Sequence, residues 1–233
     1  MGRKWWIVVG LVVAAICWES TEVTKAAPTE SLPAFQAQTT EPSVKKELEF
    51  PIVVKGSGLI AEHTAQYEGP FLENETQEPV SGVMALMVYN PGAGFVDNAL
   101  LCLQQGERIL LFEITMLPPG SRVLVLEKNG QLYSEEAFSQ CVCLSLEFIP
   151  DMVAQDIIVS EENGTLVVEN RSDRNVNGVT LCYKQFDHKE GFYLGGYTNR
   201  ASIGNLLPGE TRTVVPYRYV CGYSKVVAVL EKE

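Results

Sequence analysis

DIIVSEENGTLVVEN, residues 156–170, reads as two short strands around a tight turn. Asp156–Ser160 and Thr165–Glu169 are rich in Ile, Val and Leu, and Asn163-Gly164 between them accepts the positive φ angles of a type I′ hairpin. The same style runs outward in both directions. Ser81–Asn90 is apolar on both faces and ends at the turn Asn90-Pro91-Gly92. Ala99–Leu103, Ile109–Ile114 and Arg122–Leu126 follow, punctuated by Gln104-Gln105-Gly106 and Leu117-Pro118-Pro119-Gly120. Cys141–Phe148 alternates, with Val142, Leu144, Leu146 and Phe148 on one face. Val176–Tyr183, Gly191–Tyr197, Thr211–Pro216 and Tyr223–Leu230 complete a second set, and Ser134–Ser139 is the one stretch that reads as a helical turn. Short strands with a turn every ten or so residues predict an all-β sandwich architecture.

The two sets share a plan. A shift of 80 places Leu86-x-Val88-x-Asn90 on Leu166-x-Val168-x-Asn170, and Leu101-Cys102 on Leu181-Cys182. A shift of 89 places Leu117-Pro118-Pro119-Gly120 on Leu206-Leu207-Pro208-Gly209. The second copy therefore carries about nine extra residues around Phe186–Asn199. The expected organisation is a first β-sandwich domain over 47–151 and a second over 152–233.

The second copy carries Asn170, Val179-x-Leu181-x-Tyr183 and Leu207-Pro208-Gly209-Glu210 over residues 155–230, with a fainter echo in 80–148. On these residues it resembles the immunoglobulin-like or FxLYD-type domains of membrane-anchored Gram-positive bacterial proteins. It implies two tandem Ig-like sandwiches that act as accessory binding or spacer modules.

The first 46 residues differ in kind. Arg3 and Lys4 precede the uncharged run Trp5–Trp18, which Glu19 ends. As a helix this run rises about 21 Å against a hydrocarbon core of about 30 Å, the length of a signal peptide's apolar region or a short anchor. The basic pair predicts an N-in, C-out orientation. Residues 1–19 thus read as a signal anchor or signal peptide. The Thr-, Glu-, Ser- and Pro-rich residues 20–46 read as a disordered stalk. The chain is then held at the cell membrane by its N-terminal helix with its bulk extracellular, or is secreted if cleaved. The remainder holds 13 basic against 25 acidic groups, which argues against nucleic acid as a partner.

Candidate chemistry is sparse. No Walker loop and no G-x-S-x-G elbow occurs, and the only two histidines, His63 and His188, fall in different halves. Asp173-x-Asn175-x-Asn177-Gly178 opens like a calcium loop, but Lys184 stands where a bidentate carboxylate is required. The reading is of a protein that is no enzyme and has no cofactor or metal site. Alternation places Cys141 and Cys143 on the face of Ser145 and Glu147, and Cys182 on that of Thr180 and Lys184, all outward. Unpaired thiols are the expectation, with Cys182–Cys221 the one disulfide worth testing in an oxidising compartment. Phe186, Phe192, Tyr193 and Tyr197, with Gly191, Gly195 and Gly196, make either a partner-binding loop or aromatics packed on their own sandwich. The functional expectation is a cell-surface module presenting two sandwiches to an extracellular protein, or a spacer. A carbohydrate-binding accessory module and the sensing ectodomain of an envelope signalling system are the alternatives.

Overall fold

The computed structural model describes residues 47–149, 154–162 and 164–232. The expected anchor over 1–19, the stalk over 20–46 and the expected boundary at 151/152 lie outside the described residues. Among the described residues the chain is all-β. The first half supplies β1 (Ile52–Val53), β2 (Ile60–Pro70), β3 (Pro79–Tyr89), β4 (Val96–Gln105), β5 (Arg108–Leu117), β6 (Arg122–Leu126) and β7 (Phe138–Phe148). The second supplies β8 (Ile157–Glu162), β9 (Thr165–Asn170), β10 (Val176–Asp187), β11 (Phe192–Leu206), β12 (Thr211–Val214) and β13 (Ser224–Leu230). β8 and β9 form an antiparallel hairpin in which Glu162 pairs with Thr165; Asn163 of the expected turn lies outside the described residues.

Pairing repeats from half to half. The first half contains β2-β3-β6 and β5-β4-β7; the second contains β8-β9-β12 and β11-β10-β13. Register repeats too: Leu86↔Val125 and Leu103↔Leu110 match Leu166↔Val214 and Tyr183↔Asn199 at the shifts found in the sequence. One buried asparagine per half explains why the turns coincide. The Asn90 amide donates to the carbonyls of Gly94 (3.0 Å), Leu117 (3.2 Å) and Pro118 (3.2 Å), while its oxygen accepts the Gly92 N–H. Asn170 does the same to Arg174 (2.9 Å), Leu206 (3.1 Å) and Leu207 (3.1 Å), accepting from Ser172. Each side chain thus satisfies backbone carbonyls that the turn and the strand end would otherwise leave unpaired.

Each half closes its own core between its two strand groups. Met84, Leu86, Val88, Leu101, Leu103, Leu110, Phe112 and Ile114 dominate the first, and Leu166, Val168, Val179, Leu181 and Leu206 the second. Burying each such side chain is worth about 1.5–3 kcal/mol. β3 is apolar on both faces because its other face, Val83 and Ala85, lies under Leu72 of the β2–β3 connection.

Two expectations need correction here. In β7 a bulge between the pairs Leu101↔Cys143 and Leu100↔Ser145 resets the alternation. Cys141 and Cys143 consequently face the core, while Leu144 and Phe148 are exposed. Residues 134–137 form no helical turn, because the buried Gln105 amide donates to the carbonyls of Ser134 and Glu136 and holds the segment extended.

Candidate functional site

The nine extra residues of the second half lengthen the β10–β11 hairpin, and the extension lands on the first half. Tyr193 and Leu194 of β11 pair in parallel with Val123 and Leu124 of β6. Strands of both halves therefore belong to one seven-stranded sheet, β1-β2-β3-β6-β11-β10-β13. Tyr193 is buried in the first half's core and Phe186 packs against that core. The two rings meet edge to face with centroids 5.0 Å apart, and the Lys225 ammonium lies 4.4 Å from the Phe186 centroid. Phe192 is half-buried opposite Asp187, and the Tyr197 hydroxyl donates to Glu75 (2.8 Å). Of the four aromatics read as a partner-binding loop or as packed on their own sandwich, Phe186, Tyr193 and Tyr197 contact the other half of the chain.

A buried polar cluster locks this joint. Between the pairs Tyr183↔Asn199 and Gln185↔Leu194, Lys184 alone opposes the four residues Gly195–Thr198. The resulting bulge presses against β5 and the β2–β3 connection. The N–H of Gly196 donates to both oxygens of Glu73 (2.9 Å each), and Leu126 N–H donates to the same carboxylate (2.7 Å). The Gly196 carbonyl accepts from Lys184 Nζ (2.8 Å) and the Thr115 hydroxyl (2.6 Å), and Lys184 also reaches the Gly195 carbonyl (3.0 Å). Lys184 is 1% exposed. Burial pushes its ammonium well below the usual lysine range, against the attraction of Glu73. Burial likewise raises the Glu73 carboxyl, opposed by the Gly196 and Leu126 N–H groups and by Lys184. A side chain at Gly196 is impossible without displacement, since its Cβ would overlap the Glu113 carbonyl and the Glu73 carboxylate. These groups all hold the Gly195–Gly196 stretch of β11, so the cluster is a joint between the two halves.

Cys182 lies in the same interface. It packs with Met116 of β5 and Ala228 of β13, while Cys221 is exposed in the β12–β13 connection beside the Glu161 carboxylate. Both are free thiols, as are Cys102, Cys141 and Cys143, and the candidate Cys182–Cys221 bridge is not formed. The alternation that put Cys182, Thr180 and Lys184 on one face holds, but the other half covers much of that face. Burial pushes the Cys182 thiol up to about 11, and the hydrogen bond to Glu161 raises that of Cys221.

No family model, curated protein or solved structure matches this chain. What remains exposed is therefore the guide to function. His63 and His188 are both solvent-exposed, and no three His, Cys, Asp or Glu side chains among the described residues are arranged to hold a metal. Asp173 and Asn175 sit on the exposed turn after Asn170.

Among the described residues, exposed apolar side chains concentrate along the sequence in the β12–β13 connection. Val215 (73% exposed), Tyr217 (75%), Val220 (53%) and Tyr223 (71%) fall within nine residues. The segment is nonetheless anchored: the Tyr183 hydroxyl donates to the Tyr217 carbonyl, Tyr219 packs on Tyr183 and donates to Glu161 (3.0 Å), and Phe186 N–H donates to the Tyr223 carbonyl (2.8 Å). Sequence reading missed this patch because VPYRYVCGY carries the same residue types as a core-facing strand end.

Proposed function

We propose that the protein is a non-enzymatic display module of the cell surface, tethered by its N-terminal segment. Each half is read as an immunoglobulin-like sandwich of the FxLYD type, fused to its neighbour through the β10–β11 hairpin. The contact surface for an extracellular protein partner is the loop Val215–Tyr223. The observation that carries this reading is the exposure of two valines and two tyrosines on a connection whose backbone is held by Tyr183, Tyr219 and Phe186. Isolated exposed apolar residues are ordinary, whereas a contiguous set containing aromatics is the composition of binding hot spots. A pre-ordered loop also loses little conformational entropy when it binds.

The test compares the full chain with a Tyr217→Ser/Tyr223→Ser variant in binding to intact cells of the producing organism. The expected result is a loss of at least about tenfold in affinity with an unchanged melting temperature, the signature of losing hot-spot side chains. Equal binding by both proteins would refute the assignment of this loop.

A further inference from the structure

The outer face of the second half carries a second feature, a groove of about 650 Å³ floored by the paired strands β10 and β11 and walled by Leu230–Lys232. That volume is in the range of sites for small ligands. Thr180 and Ser202, cross-strand partners, lie on its floor. Asn177, Asn205, Arg200 and Lys232 line the rest.

Two properties separate this groove from an ordinary solvated sheet face. The first is charge. The chain carries a net −11, yet among the described residues neither Arg200 nor Lys232 forms an ion pair. The groove's own carboxylate, Glu231, is occupied by a bidentate contact with Arg174 (2.6 Å for each bond). Two cations with no ion-pair partner among the described residues thus share one polar recess with a carboxylate that Arg174 already engages.

The second property is pre-organisation. Gly178 N–H donates to the Asn205 oxygen (2.9 Å), which ties the carboxamide to β10 at the groove's edge. Lys232 N–H donates to the Asn177 carbonyl (3.0 Å), seating the lysine backbone against β10. Gly178 makes this seat possible: its φ is +56°, and a Cβ there would lie 2.5 Å from Lys232 Cβ.

We propose that this groove binds an anionic saccharide, its carboxylate or phosphate taken by Arg200 and Lys232 and its hydroxyls by Thr180, Ser202, Asn177 and Asn205. Hydroxyl and carboxamide groups that both donate and accept are the complement of sugar hydroxyls, and the cations select for an acid substituent. An acidic peptide fits less well. The floor is a sheet face whose backbone groups are already paired, so it offers no ladder for an extended chain, and Leu230 is the only large apolar side chain lining it. The inference is independent of the Val215–Tyr223 loop, which lies outside the groove.

Calorimetric titration of the full chain tests it with four probes: trigalacturonate, glucose 6-phosphate, neutral galactotriose and a hexaglutamate peptide. Saturable binding of trigalacturonate or glucose 6-phosphate is expected, and the tighter of the two identifies the acid group preferred. Galactotriose and hexaglutamate should bind at least about tenfold more weakly, as should the acid sugars to an Arg200→Ala/Lys232→Ala variant of unchanged melting temperature. Binding should also weaken as ionic strength rises from about 0.05 to about 0.5 M. Failure of both acid sugars to bind, retention of affinity in the double variant, or equal binding of galactotriose or hexaglutamate would each overturn the proposal. The Tyr217→Ser/Tyr223→Ser variant should bind the acid sugars as the wild type does, so this site and the loop fail or stand separately.

Discussion

The strands β6 and β12 occupy the same place in the two halves, yet one edge is filled and the other is blunted. β6 offers Val123 and Leu124, and the β10–β11 hairpin pairs with them. The equivalent positions in β12 are Arg212 and Thr213. Arg212 turns its guanidinium away to the Ile203 and Asn205 carbonyls and to Glu210, and among the described residues no strand joins the outer edge of β12. A short edge strand carrying a charged residue is one of the ways proteins discourage unwanted strand addition. The difference teaches how a duplicated plan becomes one body: two hydrophobic positions, a nine-residue hairpin extension and a Gly-Gly bulge suffice to weld the copies, and an arginine closes the far end.

If this is right, the first half's joint should be the most sensitive place in the molecule. Glu73→Leu strands two N–H groups and leaves Lys184 buried without its counter-charge. It should cost about 3–5 kcal/mol in urea unfolding, with Glu73→Leu/Lys184→Met losing less than the sum of the single changes. Gly196→Ala acts through backbone overlap at the same joint and should cost about 3 kcal/mol, at the upper end of overpacking effects. The shared feature should respond nearly evenly: Asn90→Ala and Asn170→Ala remove matching turn hydrogen bonds, Asn170 losing in addition the one from the Ser172 hydroxyl, and should each cost about 2 kcal/mol, measured by the same unfolding assay. Unequal losses of more than about 1 kcal/mol would mean that the two turns are not energetically equivalent.

The smallest effect belongs to Glu113, whose carboxyl is held below the usual range by its hydrogen bond and attraction to Lys128. A lowered folded-state value means that its stabilisation is present above the ordinary carboxylate range and is lost as pH falls through the lowered value. Because the pair is partly exposed, Glu113→Gln should cost less than about 1 kcal/mol at pH 7 and progressively less as the pH is lowered, read from urea midpoints along an acid series.

The turns were legible in the sequence because their causes are local. Asn90 and Asn170 bond to residues four positions on and to the strand that their own L-P-G segments end, so a short motif carries the information. β6 was legible at both ends for the same reason. β2 was not: Ile60–Pro70 mixes Ala, Glu, His, Thr and Gln, and only its register against β3 makes it a strand. Lys184 and Gly195-Gly196 were misleading in a more instructive way. A lysine on a strand's second face reads as solvated, and paired glycines read as a loop. Both residues instead mark where another part of the chain approaches, Lys184 by satisfying carbonyls and Gly196 by having no Cβ to collide with Glu113. The Val215–Tyr223 patch was hidden for the converse reason, since nothing in its composition distinguishes a covered edge from an open one.

Residual dipolar couplings of backbone amides from both halves, collected on the purified chain in one alignment medium, bear most directly on the welded joint. A single alignment tensor should fit 60–148 and 157–230 together, with Val123, Leu124, Tyr193 and Leu194 among the residues that obey it. Two distinct tensors, one for each half, would contradict the account.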